Sequence, residues 1–536
     1  MLTSVWCFIA RECGEPLSEG KQMGTVPWTV YAPTRRKEHW KLPDGLDWKT
    51  VEESVKRLQM RIAKAAKEGK HRKVTALQWL LAHSRLAKLL AVRRVTSNKG
   101  KNTPGIDGVV WKTSRQKMKA ADGLKRRGYR AQPLRRVYIA KKSGKMRPLG
   151  IPTMHDRAMQ ALYALTLAPV AETLADPNSY GFRQGRSCAD ALVQCYITLA
   201  GKHCSQWILE ADITSCFDEI SHQWLMNNIP IDKRMLTAWL TAGYIDKGAL
   251  YPTLRGTPQG GIISPLLMNM TLDGIETAAK ESVPWYIPGT TSRCGVNVVR
   301  YADDFIITAK SKEMLEDCVV PAITSFLRQR GLTLSPEKTR ITGIEQGFDF
   351  LGQNVRKYDG KFLTKPARKS IQGIQASLRQ ILDAHGGTDT WSMIRRLNQL
   401  IQGWCNYHRN ACSAKTFKYI DTWLFWVIKQ WLHRRHPNKG RRWLRKKYYR
   451  YARNNRWTFF CAGKDRHGKP EHRELVKAGR IGIIRHVKIR AEANPFDPVW
   501  TDYFADRKVK NRERNLDGRF AEESGWLYVN GRSKSA

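Results

Sequence analysis

"NVVRYADDFIITAK", residues 297–310, sets two adjacent carboxylates, Asp303 and Asp304, between two short apolar runs. Val298 and Val299 before the pair, and Phe305, Ile306 and Ile307 after it, have the β-branched and aromatic character of strands. The stretch therefore reads as a hairpin with the acids near its tip. Aspartate is also common in turns, where its side chain bonds nearby backbone N–H groups, so the pair alone fits a surface turn as well as a metal site. A second stretch bears on that choice. "WILEADITSCF", residues 207–217, opens on Trp207, Ile208 and Leu209, whose apolar character implies a buried strand, and carries Asp212 near its end. A buried carboxylate is costly unless it is paired or bound to a metal. Three carboxylates converging from a strand end and a hairpin tip repel one another, yet they suit Mg²⁺, which takes few carboxylates and several waters and binds substrate phosphates. Two such ions could clamp an in-line phosphoryl transfer, one lowering the pKa of a 3′-hydroxyl and the other holding the pyrophosphate.

Composition narrows the partner. Lys and Arg total 93 against 47 Asp and Glu, a net charge of +46. So large a self-repulsion calls for a polyanion, and nucleic acid is the natural candidate. The 536 residues suffice for several domains. No run is long or apolar enough to span a bilayer, and "MLTSVWCFIARECG" at the start lacks the basic leader of a secretory signal, so an intracellular protein without a membrane partner is expected. The eleven cysteines are scattered with no CxxC pair, which points to reduced thiols rather than disulfides or a zinc ribbon.

Residues 48–95 are rich in Ala, Leu, Lys and Arg with apolar positions at helical spacing, and predict two basic amphipathic helices. From about 130 to 360, β-rich runs alternate with helical stretches, as in an α+β core. "RRVYIAKKSGKMRPLGIP" predicts a hairpin and "DRAMQALYALTLAPVAETL" a helix. From 366 to 432 the pattern is helical again, with Ile371, Ile374, Leu378 and Ile381 on one face and Ile394, Leu397, Ile401 and Trp404 on another.

Seven stretches in order, "MRPLGIP", "YGFRQGRSCADAL", "EADITSCFDEISH", "GTPQGGIISPLLMNMTLD", "RYADDF", "GLTLSPEKTRI" and "FDFLGQNV", resemble the successive sequence blocks of group II intron reverse transcriptases. The resemblance implies the right hand of a polymerase, with fingers, palm and helical thumb, and basic helical extensions at both ends. It divides the chain into an N-terminal extension (1–95), fingers and palm (96–365), a thumb or maturase domain (366–430), a basic DNA-binding region (431–494) and a polar tail (495–536). It also implies that Asp212, Asp303 and Asp304 are the palm acids that hold two Mg²⁺ ions, helped by the backbone carbonyl of Ile213. Lys141 and Arg147, a mobile point charge and a planar fork, match the positions that hold the incoming dNTP. Gln259, between glycines that let backbone approach a ligand, matches the residue over the nucleotide sugar and base. Phe217 matches the steric gate against a ribose 2′-hydroxyl. Without the resemblance the cations read as a solvated hairpin and Phe217 as a core aromatic.

"LNQLIQGWCNYHR", residues 397–409, resembles the maturase domain of intron-encoded proteins. Leu397, Leu400, Ile401 and Trp404 are core at helical spacing, while Arg395, Arg396, His408 and Arg409 are candidates to reach RNA phosphates. Residues 433–457 hold eleven Lys or Arg and no acid. There Arg441, Arg442, Arg445, Lys446 and Lys447 can neutralise a DNA backbone, while Trp443, Tyr448, Tyr449, Tyr451 and Trp457 stack on bases. Many relatives end in an HNH endonuclease with cysteine pairs. Past Trp500 this chain offers no His or Cys. The resemblance thus implies an RNA-directed DNA polymerase and splicing maturase that binds group II intron RNA, target DNA and dNTPs, acts in the bacterial cytoplasm at the nucleoid, and primes from a pre-existing 3′ end. A domesticated enzyme in repair or defence would carry the same chemistry. Oligomeric state, including a dimer, stays open.

Overall fold

The computed structural model describes residues 40, 42, 46–140, 146–287, 289–387, 389–452, 455–464 and 470–511. The chain forms two compact units, one built on the described part of Lys21–Ile344 with Val487–Ala505, the other on Glu345–His486.

The first unit opens with helices α1 (Trp48–Lys67), α2 (His71–His83) and α3 (Arg85–Ser97). Three helices stand where the spacing predicts two, because Gly69 takes a left-handed φ of 66° after α1 and Ser84 is extended between α2 and α3. A fourth helix, α4 (Ser114–Gly123), precedes β1 (Leu134–Ala140) and β2 (Met146–Ile151), which pair antiparallel as the predicted hairpin. The helix α5 (Met154–Leu174) is buried almost all round, as an apolar sequence without a polar face demands. Its interior Pro169 has no N–H to offer Leu165 four residues earlier. Gln59 of α1 fills that gap, its Nε2 donating to the Leu165 carbonyl at 2.8 Å.

Beyond the helix α6 (Cys188–Leu199) comes β3 (Trp207–Asp212), the buried strand expected from sequence. The short helix α7 (Cys216–Glu219) follows, then β4 (Tyr244–Asp246), β5 (Ala249–Tyr251) and the helix α8 (Ser264–Leu272). The strands β6 (Asn297–Tyr301), β7 (Asp304–Ala309) and β8 (Arg340–Gly343) complete an antiparallel sheet in the order β6-β7-β3-β8. A second sheet runs β2-β1-β4-β5. Ile208, Leu209, Phe305 and Ile307 are fully buried. Each such side chain contributes about 1.5–3 kcal/mol. The returning segment Val487–Ala505 packs on this unit, with the Ile489 N–H donating to Asp190 Oδ1 at 2.7 Å and the Arg186 guanidinium to the Ala491 carbonyl at 2.8 Å.

The second unit begins with an antiparallel sheet, β9 (Phe348–Phe350), β10 (Gln353–Tyr358) and β11 (Lys361–Pro366). Helices α9 (Arg368–Asp383), α10 (Thr390–His408), α11 (Ala414–Arg435) and α12 (Arg441–Tyr448) follow. They enclose a core of Ile374, Leu378, Leu397, Ile401, Trp404, Phe417 and Leu424. The C-terminal basic region is not wholly helical as expected: β12 (Tyr449–Ala452), β13 (Asn455–Lys464) and β14 (Pro470–Glu474) form an antiparallel sheet after α12. Aromatic residues such as Tyr449, Trp457 and Phe459 favour strands there, and a count of cations does not reveal that preference. The cysteines among the described residues are free thiols. No described helix is long and apolar enough to cross a membrane.

Candidate active site

β6 and β7 pair Tyr301 with Asp304, which leaves Ala302 and Asp303 as a two-residue turn. Ala302 is left-handed at φ 62°, a conformation such turns usually assign to Gly, Asn or Asp. On the other side of β7, Asp212 of β3 lies directly opposite Asp304. Opposed residues on neighbouring antiparallel strands share a face, with Cβ atoms about 4.5–5.5 Å apart. Glu210, two residues earlier in β3, points to the same face, but Arg340 holds it with two hydrogen bonds of 2.6 and 3.0 Å.

The acids burden one another. Burial, then Asp303, Asp212 and Glu210, push the Asp304 carboxyl up to about 8. Burial also raises Asp212, against the pull of Lys338, whose Nζ lies 3.0 Å from Asp212 Oδ2. Burial raises Asp303, with Arg147 and Lys338 pulling the other way. Such a cluster is short of positive charge, and its donors are hard oxygens, so the donor chemistry fits a divalent cation. Among the described residues no group of three or more Asp, Glu, His or Cys side chains is placed so as to hold a metal ion by itself. An ion that keeps waters and takes substrate phosphates does not need a complete protein cage. The strand end itself is pinned, because Asp212 accepts from the Ser335 N–H at 2.8 Å and the buried Ile213 bridges to Leu334.

A second constellation joins β2, α7 and the "GTPQGG" loop. Arg147 Nε donates to Gln259 Oε1 at 2.8 Å, and Gln259 Nε2 donates to Asp218 Oδ2 at 2.6 Å. The glycines have a geometric reason: a Cβ on Gly260, at φ 145°, would sit 2.3 Å from the Gly150 carbonyl oxygen. Phe217 is half-buried against the core, and its carbonyl accepts from Thr257 at 2.6 Å. Lys141 lies outside the described residues. Lys338 and Asp218 join the site although neither was singled out from the sequence: each stands beside another charge, Glu337 or Glu219, in a turn or short helix with no periodicity to set it apart, and only tertiary pairing brings it there.

The family model described as reverse transcriptase (RNA-dependent DNA polymerase) matches residues 139–355, that for the N-terminal domain of reverse transcriptase matches 43–124, and that for the group II intron maturase-specific domain matches 371–449. Protein YkfC of Escherichia coli is 33% identical over 327 residues, covering 53% of this chain and 82% of that protein. The group II intron-encoded protein LtrA of Lactococcus lactis is 29% identical over 423 residues, covering 62% and 70%. The chain belongs to the group II intron reverse transcriptases and maturases. As such it is an RNA-directed DNA polymerase, and the family works with divalent metal ions.

In the maturase region of this reverse transcriptase, two of the expected nucleic-acid contacts are corrected. His408 is fully buried; its Nδ1 lies 2.7 Å from Gln353 Nε2 and its Nε2 lies 2.8 Å from Ser370 Oγ. Burial pulls its pKa down to about 3, so it stays neutral and cannot meet a phosphate. Tyr448 is likewise buried, with its hydroxyl 2.7 Å from His436 Nε2, and cannot stack on a base. Both errors have one cause: each residue falls on the inward stripe of its helix. Arg395 is exposed and Arg396 half-buried on α10. Arg409 donates through Nε to the Gly482 carbonyl at 3.2 Å. On α12 the reverse transcriptase exposes Arg441, Arg442, Trp443, Arg445, Lys446 and Lys447, with the Arg445 guanidinium 4.4 Å from the Trp457 ring centroid.

Proposed function

We propose that Asp212, Asp303 and Asp304 are the palm acids at which this reverse transcriptase extends a primer on an RNA template. The opposition of Asp212 and Asp304 across β3 and β7, with Asp303 in the turn, carries this reading. In the step itself, the primer 3′-oxygen bonds to the α-phosphorus of a dNTP as its proton leaves, and the bond from that phosphorus to the β-phosphate bridging oxygen breaks, releasing pyrophosphate. Two Mg²⁺ ions held by the three carboxylates and the Ile213 carbonyl would lower the pKa of the 3′-hydroxyl and neutralise the leaving group. Arg147 and Lys141 bind the triphosphate, Gln259 lies over the sugar and base, and Phe217 excludes a ribose 2′-hydroxyl. The bond from Gln259 to both Arg147 and Asp218 supports that assignment, because it fixes the amide before substrate arrives.

On the same reading residues 96–365 are fingers and palm, 366–430 the thumb that also grips intron RNA, and the outward cations of α12 contact target DNA. The enzyme assists splicing of its intron and copies the intron into DNA during retrohoming. The deciding experiment is primer extension on an RNA template in Mg²⁺. Asp212→Ala and Asp303→Ala should abolish it while tight RNA binding survives, since neither variant removes a cation. Normal extension by either variant would remove the assignment.

A further inference from the structure

We infer that Arg300, held by Asp273 and Asn269, is a positioning residue that sets the Ala302–Asp303 turn for nucleotidyl transfer; this rests on the assignment of the three acids above. Arg300 is 1% exposed, the largest fully buried side chain among the described residues. Its guanidinium is ion-paired with Asp273 through Nη2 and donates through Nη1 to Asn269 Oδ1 at 3.3 Å. Its backbone is held as firmly. The Arg300 N–H donates to the Asn178 carbonyl at 3.0 Å, and the Arg300 carbonyl accepts from the Tyr180 N–H at 2.8 Å.

The next residue of that segment carries the grip to the turn. A Cβ on Gly181 would lie 2.3 Å from the Ala302 nitrogen, so the two backbones are in direct contact. Asn269 Nδ2 donates to the Gly181 carbonyl at 2.8 Å. One amide thus ties Gly181, under the turn, to Arg300, at its base. The arrangement meets a need. Ala302 at φ 62° has no local preference for the left-handed region, so surrounding structure must impose it. Stability alone does not ask for a buried guanidinium, because well-packed apolar side chains of similar volume often stabilise such a position equally or better. A fork with fixed partners instead fixes direction.

The test is single-turnover primer extension by the full chain on an RNA template, reading separately the amplitude, which counts active enzyme, and the rate constant of that active enzyme. The variants are Asn269→Ala, Arg300→Lys and Asp303→Ala. For the first two, template-primer affinity and half-saturating dNTP should stay within about threefold while the rate constant falls on the order of 10–10²-fold, as expected when reacting groups are misplaced by a fraction of an ångström to an ångström. A lower amplitude and Tm with an unchanged rate constant would overturn the inference, since that is what a merely structural role produces. If Arg300→Lys does not fold, Asn269→Ala decides, because it leaves the Arg300–Asp273 pair intact. Asp303→Ala separates the two claims. Extension by that variant would sink the acid assignment itself, whereas its inactivity beside a normal Asn269→Ala rate constant would sink only the role of Arg300.

Discussion

In the hairpin of β6 and β7, strand register allots every side chain: Tyr301 and Asp212 both oppose Asp304, and the turn takes the two residues left over. In the helix α12, angular position allots them. Leu444 and Tyr448, four apart, go inward, and the cations around them face out. The first sets two adjacent acids at its turn, and the second carries a run of cations. The difference teaches that a charged run in a strand pair can be read residue by residue, whereas a charged run in a helix must first be divided into faces.

The sharpest way to test that contrast is on α12. Replacing Arg441, Arg442, Arg445, Lys446 and Lys447 with Ala should weaken DNA binding on the order of 10²–10³-fold across sequences and make log K about 4 units less steep in log salt. Tyr448→Phe, on the inward stripe, should leave both nearly unchanged. Filter-binding titrations between low and physiological salt read both quantities, and an unaltered slope in the five-fold variant would move the DNA site elsewhere. The next effect tests the hairpin's surroundings. If Phe217 is the steric gate, Phe217→Ala should raise ribonucleotide relative to deoxynucleotide incorporation by about 10²-fold, since the discrimination would then come from a clash. Competition assays read the ratio directly, and no change would return Phe217 to the core.

His408 tests the helix rule from the buried side. His408→Ala should cost about 2–4 kcal/mol in urea unfolding, as Ser370 and Gln353 lose their partner. The sign with pH follows from its pKa near 3, below the ordinary value of 6.5. The unfolded chain binds the extra proton between these values, so stability is full above about pH 6.5 and falls as the medium is acidified towards 3. The variant should show a shallower acid limb. Asp304, pushed up to about 8, has the opposite sign. Its folded form holds the proton more tightly, so stability is lost as pH rises from about 4 to 8. In EDTA at pH 8, Asp304→Asn should therefore melt higher than the parent by about 2–4 °C, for a gain discounted to about 1 kcal/mol because the residue is only half-buried. At pH 5 the difference should shrink; a gap that does not depend on pH would assign it to something other than this carboxyl.

The strands β3, β6 and β7 were legible because a period of two is a local signal, and so was the place of the candidate acids at a strand end and a turn. Taken alone, Asp303 and Asp304 stayed open between a surface turn and a metal site, and their role as palm acids with Asp212 entered only through the family resemblance. His408 and Tyr448 were misread because a polar residue in a basic helix looks the same on either face until its neighbours are placed. Lys338, Asn269 and Asp273 gave no signal, since their partners lie 126, 31 and 27 residues away. The strands β12–β14 were hidden under a charge pattern that says nothing about backbone conformation.

The central place of β3 has a consequence for the birth of the protein. Trp207 pairs with Ala309 on one side and Gly343 on the other. A ribosome adding about 5–20 residues per second makes the strand roughly 5–20 s before the first of these partners exists. For that interval an apolar strand with two open edges sits on the nascent chain, at risk of pairing with the wrong neighbour. Translation speed between Asp212 and Asp304, and the chaperones that meet the chain there, should then govern how much enzyme is recovered intact.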